Sequence, residues 1–459
     1  MLDIDLIRER PEWVKEQVAK LNDTAPIDDI LALDAQRREI IQEVESLRQQ
    51  RNQSSKQIGR WMGELRRLES ELEGADESRD TLEEEATALR EKVEAAKVET
   101  RDIGERIGEL DEELRRVEQE RDEKMLWVPN MPHESVPVAP DDSHNIAYEP
   151  EGAPHPAFDF TPKPHWDLGP ELDIIDFERG VKLSGSRFYL LRGWGARLQR
   201  ALIQFMLDYH VNEHGYTEIY PPFMVRSECF VGAAQLPKFA ENIYRDAEED
   251  FMWLATAEIA LTNIHRDEIL DEEQLPLKYV AYTPCFRREK MSAGRDVRGI
   301  KRGHQFDKVE MYRFTRPENS YDAFEELIQD AADIAEALEL PYRRVEMVTG
   351  DLGFAAARKF DLEVWAAGSE EWLEVSSISN DEAFQARRAN VRYRPKGGGK
   401  PRHVHTLNAS GLALPRVMIA LMENNQQEDG SIRVPKILRP YLGGVELITG
   451  AQEAVRTTE

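Results

Sequence analysis

The segments Cys285-Phe-Arg-Arg-Glu289 and His304-Gln-Phe-Asp-Lys-Val-Glu310 read as two strand ends, joined by a stretch from Lys290 to Gly303 that is rich in Gly and Arg. Each apolar strand end carries an arginine or a carboxylate inward, a pattern that predicts a hairpin holding a polyanion. A guanidinium fork matches phosphate oxygens in a bidentate way, which would place Arg287 on a phosphate. The alternative is an ordinary surface hairpin with solvated charges.

Length and composition narrow the class of protein. The 459 residues exceed what one hydrophobic core usually supports, so we expect two or more domains. No basic N-terminal segment precedes an apolar run, and no apolar stretch has transmembrane length. Neither export nor membrane spanning is therefore indicated, and a cytoplasmic protein is expected. Cys229 and Cys285 lie far apart, which argues against a disulfide scaffold or a structural zinc site.

The charge balance is strongly acidic. The formal net charge of −28 argues against nucleic-acid binding, because an acidic surface repels phosphate backbones. Arginine nevertheless clusters at residues 287–302 and 387–402. Excess acid with Arg preferred over Lys is typical of halophilic proteins, because the Debye length is roughly 3 Å at 1 M salt and charge repulsion is then weak. We therefore predict adaptation to a salty cytoplasm.

Residues 1–125 are predicted to form a helical domain with a long coiled-coil arm. A seven-residue apolar repeat, interrupted by Arg37, Arg51 and Ser54, is followed by a Gly-Ala-Asp-Glu-Ser turn at 74–78 and a second repeat. An antiparallel hairpin of roughly 60 Å and a dimerising coiled coil both fit this periodicity, and the central turn favours the hairpin. Residues 1–26 are expected to form a short amphipathic helix at the arm's base. The repeat positions are Ile30, Leu33, Ile40, Val44, Leu47, Ile58, Trp61, Leu65, Leu68 and Leu72, then Leu82, Ala86, Leu89, Val93, Ala96, Ile103, Ile107, Leu110, Leu114 and Val117.

A Pro-rich linker and a large α+β domain are predicted after the arm. The proline density of residues 126–165 opposes regular helix and central strand. Helical and strand patterns mix over residues 166–459, as expected of one α+β domain with mostly antiparallel strands. Predicted strands are Tyr279–Tyr282, Lys308–Phe314, Tyr342–Val348, Phe360–Trp365, Trp372–Ser379 and His403–Leu407, and predicted helices are Leu191–His214, Glu318–Leu338 and Gly411–Asn424.

Three further segments carry polar residues in suggestive patterns. Thr256-Ala-Glu258 suits a capped helix start as well as a binding site. Strand alternation in Phe360–Trp365 puts Asp361 and Glu363 on one face, and in Glu374-Val-Ser-Ser377 it puts Glu374 and Ser376 on one face. Inward acids are costly unless a cation meets them. The last segment, Thr406-Leu-Asn-Ala-Ser-Gly-Leu-Ala-Leu-Pro-Arg416, also suits a turn and a core helix.

Read together, these segments resemble motifs 2 and 3 of class II aminoacyl-tRNA synthetases and, within that class, the seryl-tRNA synthetase family. Gly180-Val-Lys-Leu-Ser-Gly-Ser-Arg-Phe188 and a long helix leading into Glu218-Ile-Tyr-Pro-Pro222, similar to motif 1, extend the resemblance. The predicted arm completes it, since in that family the arm reaches along the tRNA. The resemblance implies an antiparallel-sheet catalytic domain, a homodimer formed through motif 1, and ATP-dependent attachment of L-serine to tRNA(Ser) through seryl-adenylate. Charging of tRNA(Sec) is left open.

The resemblance also implies site residues. ATP would bend over the sheet with Arg287 on its α-phosphate, Arg416 near its γ-phosphate and Phe306 on adenine. Mg²⁺ would be held by Glu374 and Ser377, with hard oxygen ligands. Arg287, Arg416 and Glu310 would be the catalytic residues. The implied ATP-binding residues are Arg287, Arg288, Glu289, Phe306, Glu374, Val375, Ser376, Ser377 and Arg416, and the implied serine-binding residues are Thr256, Ala257, Glu258, Glu310, Asn408 and Ser410.

Departures and rival interpretations accompany the resemblance. Family members often carry Gly before the motif 3 arginine, where this chain has Pro415, and the loop around Met291 and Ser292 departs from the common pattern. A relative that charges threonine or proline is the rival enzyme. A paralogue that serves as a carrier-protein ligase or as a binding module is the rival of another class.

Overall fold

The computed structural model describes residues 1–74, 79–290 and 298–450 and divides into two compact units. One unit is Pro26–Trp127, and the other joins Met1–Ala25 to Val128–Glu459. The expected boundaries at residues 125 and 165 therefore differ from this grouping, because residues 1–25 and the Pro-rich segment group with the larger unit. The functional domain boundaries themselves stay a prediction.

The secondary structure is α+β, as predicted. Helices are α1 Ile4–Glu9, α2 Pro11–Lys20, α3 Ile27–Leu72, α4 Arg79–Met125, α5 His165–Glu171, α6 Phe177–Ser184, α7 Trp194–Asn212, α8 Ser227–Gly232, α9 Glu258–Thr262, α10 Ser320–Ala337, α11 Phe384–Arg388 and α12 Leu414–Asn424. Strands are β1 Ile146–Ala147, β2 Glu151–Gly152, β3 Ile175–Asp176, β4 Leu190–Leu191, β5 Thr217–Glu218, β6 Met224–Val225, β7 Met252–Trp253, β8 Ile269–Asp271, β9 Leu277–Phe286, β10 Gln305–Thr315, β11 Pro341–Glu346, β12 Arg358–Ala366, β13 Glu371–Glu382, β14 Arg392–Arg394, β15 Arg402–His403, β16 His405–Ala413, β17 Ile432–Arg433 and β18 Leu447–Ile448.

The unit Pro26–Trp127 is an antiparallel hairpin of α3 and α4, which confirms the intramolecular pairing of the two repeats. Repeat residues of both helices share apolar clusters, because each helix presents one stripe and nothing else in this unit can cover it. Ion pairs cross between the helices at Arg37–Glu118 (2.8 Å) and Arg90–Glu69 (2.7 Å). Of the predicted turn, residues 75–78 lie outside the described residues.

The larger unit is built on one sheet with the strand order β1-β11-β12-β13-β16-β10-β9-β5, with β2 also pairing with β11. Neighbouring strands are antiparallel except β5 beside β9. One face of the sheet packs on α7, α10 and α12 in the main core. The opposite face of β13, β16 and β10 lines a pocket.

The start of α12 is a correction to the predicted helix at Gly411. Strand β16 continues through Ala413, and the helix begins at Leu414 with Pro415 in its first turn. Proline suits that position because a backbone N–H in the first helical turn has no intrahelical partner, so its absence in proline removes no bond. Arg416 is thereby placed at the N-terminal end of a helix that follows directly on a central strand.

The Pro-rich segment runs along the larger unit with little regular structure. Its strands β1 and β2 are two residues long and pair only with β11, at the sheet edge, as the proline density predicts. Asn130 anchors the segment through Nδ2, which donates to Ala355 O at 2.8 Å and to Asp381 O at 3.0 Å. Within the described ranges, no helix has the length and apolarity needed to cross a membrane.

Candidate functional site

A pocket of about 460 Å³ lies on the open face of the central strands. It takes one wall from α9 and the preceding loop, another from the start of α12, and its floor from β10, β13 and β16. The sequence-predicted residues that line it are Thr256, Glu258, Arg287, Glu289, Phe306, Glu310, Glu374, Val375, Ser377, Asn408, Ser410 and Arg416.

Three of the predicted site residues lie elsewhere. Ala257 is fully buried in an apolar cluster behind α9. Arg288 is exposed and faces a separate surface depression. Ser376 is buried, and its hydroxyl donates to Ser410 O at 2.6 Å, so it braces β16 against β13 instead of facing the pocket.

Strand alternation places the floor residues. Phe306, Lys308 and Glu310 on β10 point into the pocket, whereas Val309 and Met311 between and beyond them are buried in the main core. Strands β9 and β10 pair from Gln305 opposite Phe286 onward, which confirms the predicted hairpin. A register shift between β10 and β16 leaves Glu310 directly opposite Ser410.

Lys308 is a pocket residue that the sequence motifs did not indicate. Its Nζ donates to Thr256 Oγ1 at 2.9 Å and forms an ion pair with Glu310, and both charged side chains are buried. A charge is buried in a protein only when it is paired, so the lysine and the glutamate depend on each other. Strand alternation could have indicated it, since Lys308 stands two residues before Glu310 and must share its face of the strand.

A second carboxylate, Glu258, shares this end of the pocket. Burial, and then the neighbouring Glu310, raise the pKa of Glu258 to about 7. Gln385 donates to Glu258 Oε1 at 2.6 Å, while its own carbonyl accepts from Tyr312 and Thr406 hydroxyls. These bonds fix the amide orientation, so Gln385 presents a donor to Glu258 in either ionisation state.

Asp381 is a further buried acid that the motifs did not indicate. It accepts from Asn408 Nδ2 at 3.1 Å, and burial together with Glu258 raises its pKa well above the usual value. Burial thus disfavours the charged form of Asp381, and Glu258 and Glu310 are the other carboxyl groups at this end of the pocket. This end of the pocket therefore suits a small molecule with an ammonium group and a hydroxyl.

The opposite end of the pocket is lined by arginine. The guanidinium carbon of Arg287 lies 5.0 Å from the Phe306 ring centroid, and its Nε donates to Ala255 O at 3.2 Å. Arg302 pairs with the buried Glu289 at 3.1 Å. A guanidinium beside an aromatic face suits the phosphates and base of a nucleotide.

A bulge in β13 sets the position of the two predicted metal ligands. Glu363 pairs with Glu374 and Leu362 with Ser376, so Val375 is an extra residue on β13. The prediction that Glu374 and Ser376 share a face is therefore wrong, because the bulge turns Ser376 inward. It brings Glu374 and Ser377 onto the pocket side together.

Arg416 and Glu374 contact each other at the pocket's edge. Arg416 Nη1 donates to Glu374 O at 2.6 Å and lies 3.3 Å from Glu374 Oε2. Burial opposes ionisation of Glu374, but Arg416, Lys359 and Arg287 outweigh it, so its pKa lies below the usual value. An ionised carboxylate is thus available at the arginine end.

The donor set suits a hard cation that brings most of its ligands with it. A carboxylate at Glu374 and a hydroxyl at Ser377 are oxygen donors of the kind that Mg²⁺ uses beside phosphates and waters. In the described part of the chain, no group of three or more His, Cys, Asp or Glu side chains could hold a metal ion by itself. The residues present fit Mg²⁺ bound together with a phosphate ligand.

Comparison with known proteins assigns both units. Residues 1–98 match the model of the seryl-tRNA synthetase N-terminal domain, and residues 239–425 match the class II tRNA synthetase core domain shared by the G, H, P, S and T enzymes. Together the two matches cover α1 to α3, the first part of α4 and all the pocket-lining strands.

Whole-chain relatives agree. A serine–tRNA ligase of Roseiflexus sp. is 57% identical over 449 residues, which are 98% of this chain and 99% of that protein. A seryl-tRNA synthetase of Pyrococcus horikoshii, solved with ATP, has a TM-score of 0.86 and 37% identity and covers 98% of this chain and 100% of its own. A cytoplasmic serine–tRNA ligase of Naegleria fowleri, solved with AMP, has a TM-score of 0.80 and 31% identity. The match covers 98% of this chain and 99% of that one. With this identity over nearly its full length, the chain belongs to the seryl-tRNA synthetase family of class II aminoacyl-tRNA synthetases.

Proposed function

We propose that the pocket is where this serine–tRNA ligase joins L-serine to ATP as seryl-adenylate, before the seryl group passes to tRNA(Ser). The observation that carries the proposal is the division of one pocket into an acidic end around Glu310 and an arginine end around Arg287 and Arg416. An amino acid and a nucleotide need opposite charges, and the pocket provides both within reach of each other.

The acidic end would bind serine. Glu310 and Glu258 would accept from its ammonium, and Thr256, Asn408 and Ser410 are the polar groups available to its hydroxyl. Discrimination against alanine follows, because a buried group that bonds the hydroxyl is left without a partner when alanine binds.

The arginine end would bind ATP. Arg287 would contact the α-phosphate, Arg416 the γ-phosphate, and Phe306 would stack on adenine, with Glu289 near the adenine amino group. Glu374 and Ser377 would hold Mg²⁺, which supplies neutralisation of phosphate charge when bound. The related enzymes solved with ATP and AMP support a nucleotide in this family's pocket.

The chemistry requires positioning more than a protein nucleophile. The serine carboxylate attacks the α-phosphorus in line and pyrophosphate leaves, and Arg287 stabilises the charge that develops on the phosphate oxygens. A ribose hydroxyl at the tRNA end then attacks the seryl carbonyl carbon and gives up its proton, the bond to the phosphate breaks, and AMP leaves. No step needs a Ser-His-Asp arrangement.

The remaining partners are proposals of the same kind. The α3–α4 arm would contact tRNA(Ser), two chains would associate through the motif 1 segment, and the enzyme would work in the cytoplasm. The acidic composition further suggests activity that is retained at molar KCl. A monomer by light scattering would argue against the dimer, and activity that falls steadily as KCl rises would argue against salt adaptation.

Amino-acid-dependent ATP–pyrophosphate exchange tests the proposal. We expect exchange with serine and little with threonine, alanine or glycine. Preference for threonine, or exchange with proline in a parallel reaction, would support the rival enzyme, and no exchange with any of them would support a binding module. Charging of purified tRNA(Sec) beside tRNA(Ser) addresses the second tRNA.

A further inference from the structure

Next to the arginine end of the pocket, the start of α5 contacts a short segment of chain that leads into the pocket wall. The Arg298 guanidinium lies over the Trp166 ring, 4.8 Å from its centroid, and Arg298 Nη2 is 3.5 Å from Asp167 Oδ1. Both contacts lie near the surface. The neighbouring residue of α5, His165, makes a buried contact beside them. We name this set the α5 clasp, and its members are His165, Trp166, Asp167, Arg298, Gly299 and Ile300.

His165 is the buried centre of the α5 clasp. Its Nε2 accepts from the Ile300 N–H at 3.2 Å, so that nitrogen carries no proton. The proton is therefore on Nδ1, which donates to Glu423 Oε1 at 2.8 Å. One neutral tautomer satisfies both contacts, and the side chain is fully buried.

Gly299 lets the backbone approach this imidazole. Its φ is +77°, in the left-handed region that glycine tolerates, and a Cβ there would lie 2.0 Å from His165 Nε2. No other residue fits this position without displacing the histidine. The close approach and the Ile300 hydrogen bond together fix where the chain re-enters the pocket wall.

The α5 clasp reaches the nucleotide end from two directions. Ile300 is followed directly by Lys301, Arg302 and Gly303, which line the pocket. Glu423 lies two turns beyond Arg416 on α12 and also accepts from the His165 backbone N–H.

Glu423 is held in turn from the other side. It accepts from Ser369 N and Ser369 Oγ at 2.8 and 2.7 Å. Its pKa is lowered because bonds from His165 and Ser369 outweigh burial, so it stays ionised. His165 therefore ties the helix that carries Arg416 to the wall that carries Lys301 and Arg302, and Arg416 Nε meets Lys301 O at 3.5 Å.

We propose that His165 is a positioning residue for ATP. It holds the wall at residues 301–303 and helix α12 at a fixed separation, so that Arg302 and Arg416 meet the nucleotide together. This inference rests on the proposed function, which places ATP at this end of the pocket. Serine lies at the other end and does not depend on the α5 clasp.

The surface contacts of the α5 clasp can be removed without threatening folding, which gives the first test. Arg298→Ala removes the contacts with Trp166 and Asp167, and we expect KM for ATP in pyrophosphate exchange to rise about three- to tenfold, with KM for serine and kcat within about twofold. Arg192→Ala is the matched control, since it removes a comparably exposed arginine that pairs with Asp173 at 2.8 Å. An unchanged KM for ATP in Arg298→Ala, or an equal change in the control, would overturn the inference.

The buried half is tested by comparing two substitutions. His165→Ala removes the acceptor for Ile300, whereas His165→Gln offers an amide oxygen and an amide N–H at a spacing close to that of the imidazole nitrogens. We expect His165→Ala to raise KM for ATP about tenfold or more and to speed hydrogen exchange of the Ile300 amide, and His165→Gln to reverse most of both effects. Faster amide exchange with an unchanged KM for ATP would overturn the positioning role.

The two proposals fail in different ways. Absence of serine-dependent exchange in the unmodified enzyme would defeat the proposed function. A KM for serine that rises as much as that for ATP would defeat the α5 clasp alone. If His165→Ala does not fold, the comparison of Arg298→Ala with Arg192→Ala decides.

Discussion

The coiled-coil arm and the pocket both carry many charges, but they hold them in opposite ways. In the arm, pairs such as Arg37–Glu118 and Arg48–Asp111 cross between helices with side chains 30% to 53% exposed. Exposed pairs of this kind contribute about 0–1 kcal/mol. In the pocket, Lys308 and Glu310 form a pair with side chains only 9% and 2% exposed. Removing one member of a buried pair costs about 3–5 kcal/mol.

This difference separates the roles of charge in the two regions. Arm charges keep a long helical hairpin in register and in solution, and each is dispensable by itself. Pocket charges are held at a cost in desolvation, so their presence points to a ligand that uses them. Substitutions in the two regions should therefore differ in size and in the reaction step that they affect.

Removal of the arm should give the largest effect on charging. Joining residue 29 to residue 119 through a short Gly–Ser linker should abolish tRNA(Ser) charging while serine-dependent pyrophosphate exchange stays within about threefold, because the pocket belongs to the other compact unit. Both reactions are measured on the same preparation. Normal charging by the shortened protein would show that the arm is only structural.

Glu310→Ala should give the largest effect of a single substitution. It leaves Lys308 buried without its carboxylate and removes a partner for the serine ammonium, so kcat/KM for serine should fall about a thousandfold. Glu113→Ala, which removes a partly exposed arm glutamate that accepts from Gln36, is the matched control. Circular dichroism checks that the fold survives, and unchanged serine kinetics would refute the pocket assignment.

Lowering the pH should have an effect of intermediate size on KM for serine. Burial and Glu310 raise the pKa of Glu258 to about 7, so this carboxyl becomes neutral as the pH falls below that value. A serine ammonium favours the ionised form, so KM for serine should rise below pH 7, by at most about tenfold per pH unit for one proton. The measurement is made at saturating ATP, and Glu258→Gln should flatten the profile. A profile that is equally steep in the variant would assign the effect to another group.

The smallest effect is expected for an arm ion pair. Arg37→Ala should change the free energy of unfolding of the arm by less than about 1 kcal/mol and the charging rate by less than about twofold. Thermal unfolding followed at the helical signal gives the first quantity. A loss as large as that of Glu310→Ala would erase the distinction between the two regions.

Sequence periodicity and motif spacing predicted much of this architecture. The repeats of α3 and α4 predicted the arm, and the ends of β9 and β10 predicted the hairpin. Both structures depend on contacts that recur at a fixed spacing along the sequence. Most motif residues then converged on one pocket. These features are local in origin.

The features that the sequence pattern did not predict depend on packing between residues far apart in the chain. Gln385 reaches Glu258 from a helix more than a hundred residues away, and Asp381 faces the pocket because β13 carries it there. The extra residue Val375 reversed the expected direction of Ser376, since alternation fails at a bulge. The first residues of α5 looked like the end of a linker, and nothing in their pattern indicated Ile300 as a neighbour.

The bulge at Val375 makes the number of residues in β12 and β13 as consequential as their identity. Glu374 and Ser377 are three residues apart, so inserting one residue into β12 opposite Val375 would restore strict alternation and turn one of the two toward the apolar layer beneath the sheet. A chain could thus retain every side chain proposed to hold the metal and still lose the ability to present them together. Among relatives, an insertion in β12 opposite the bulge would matter more than most single replacements around it.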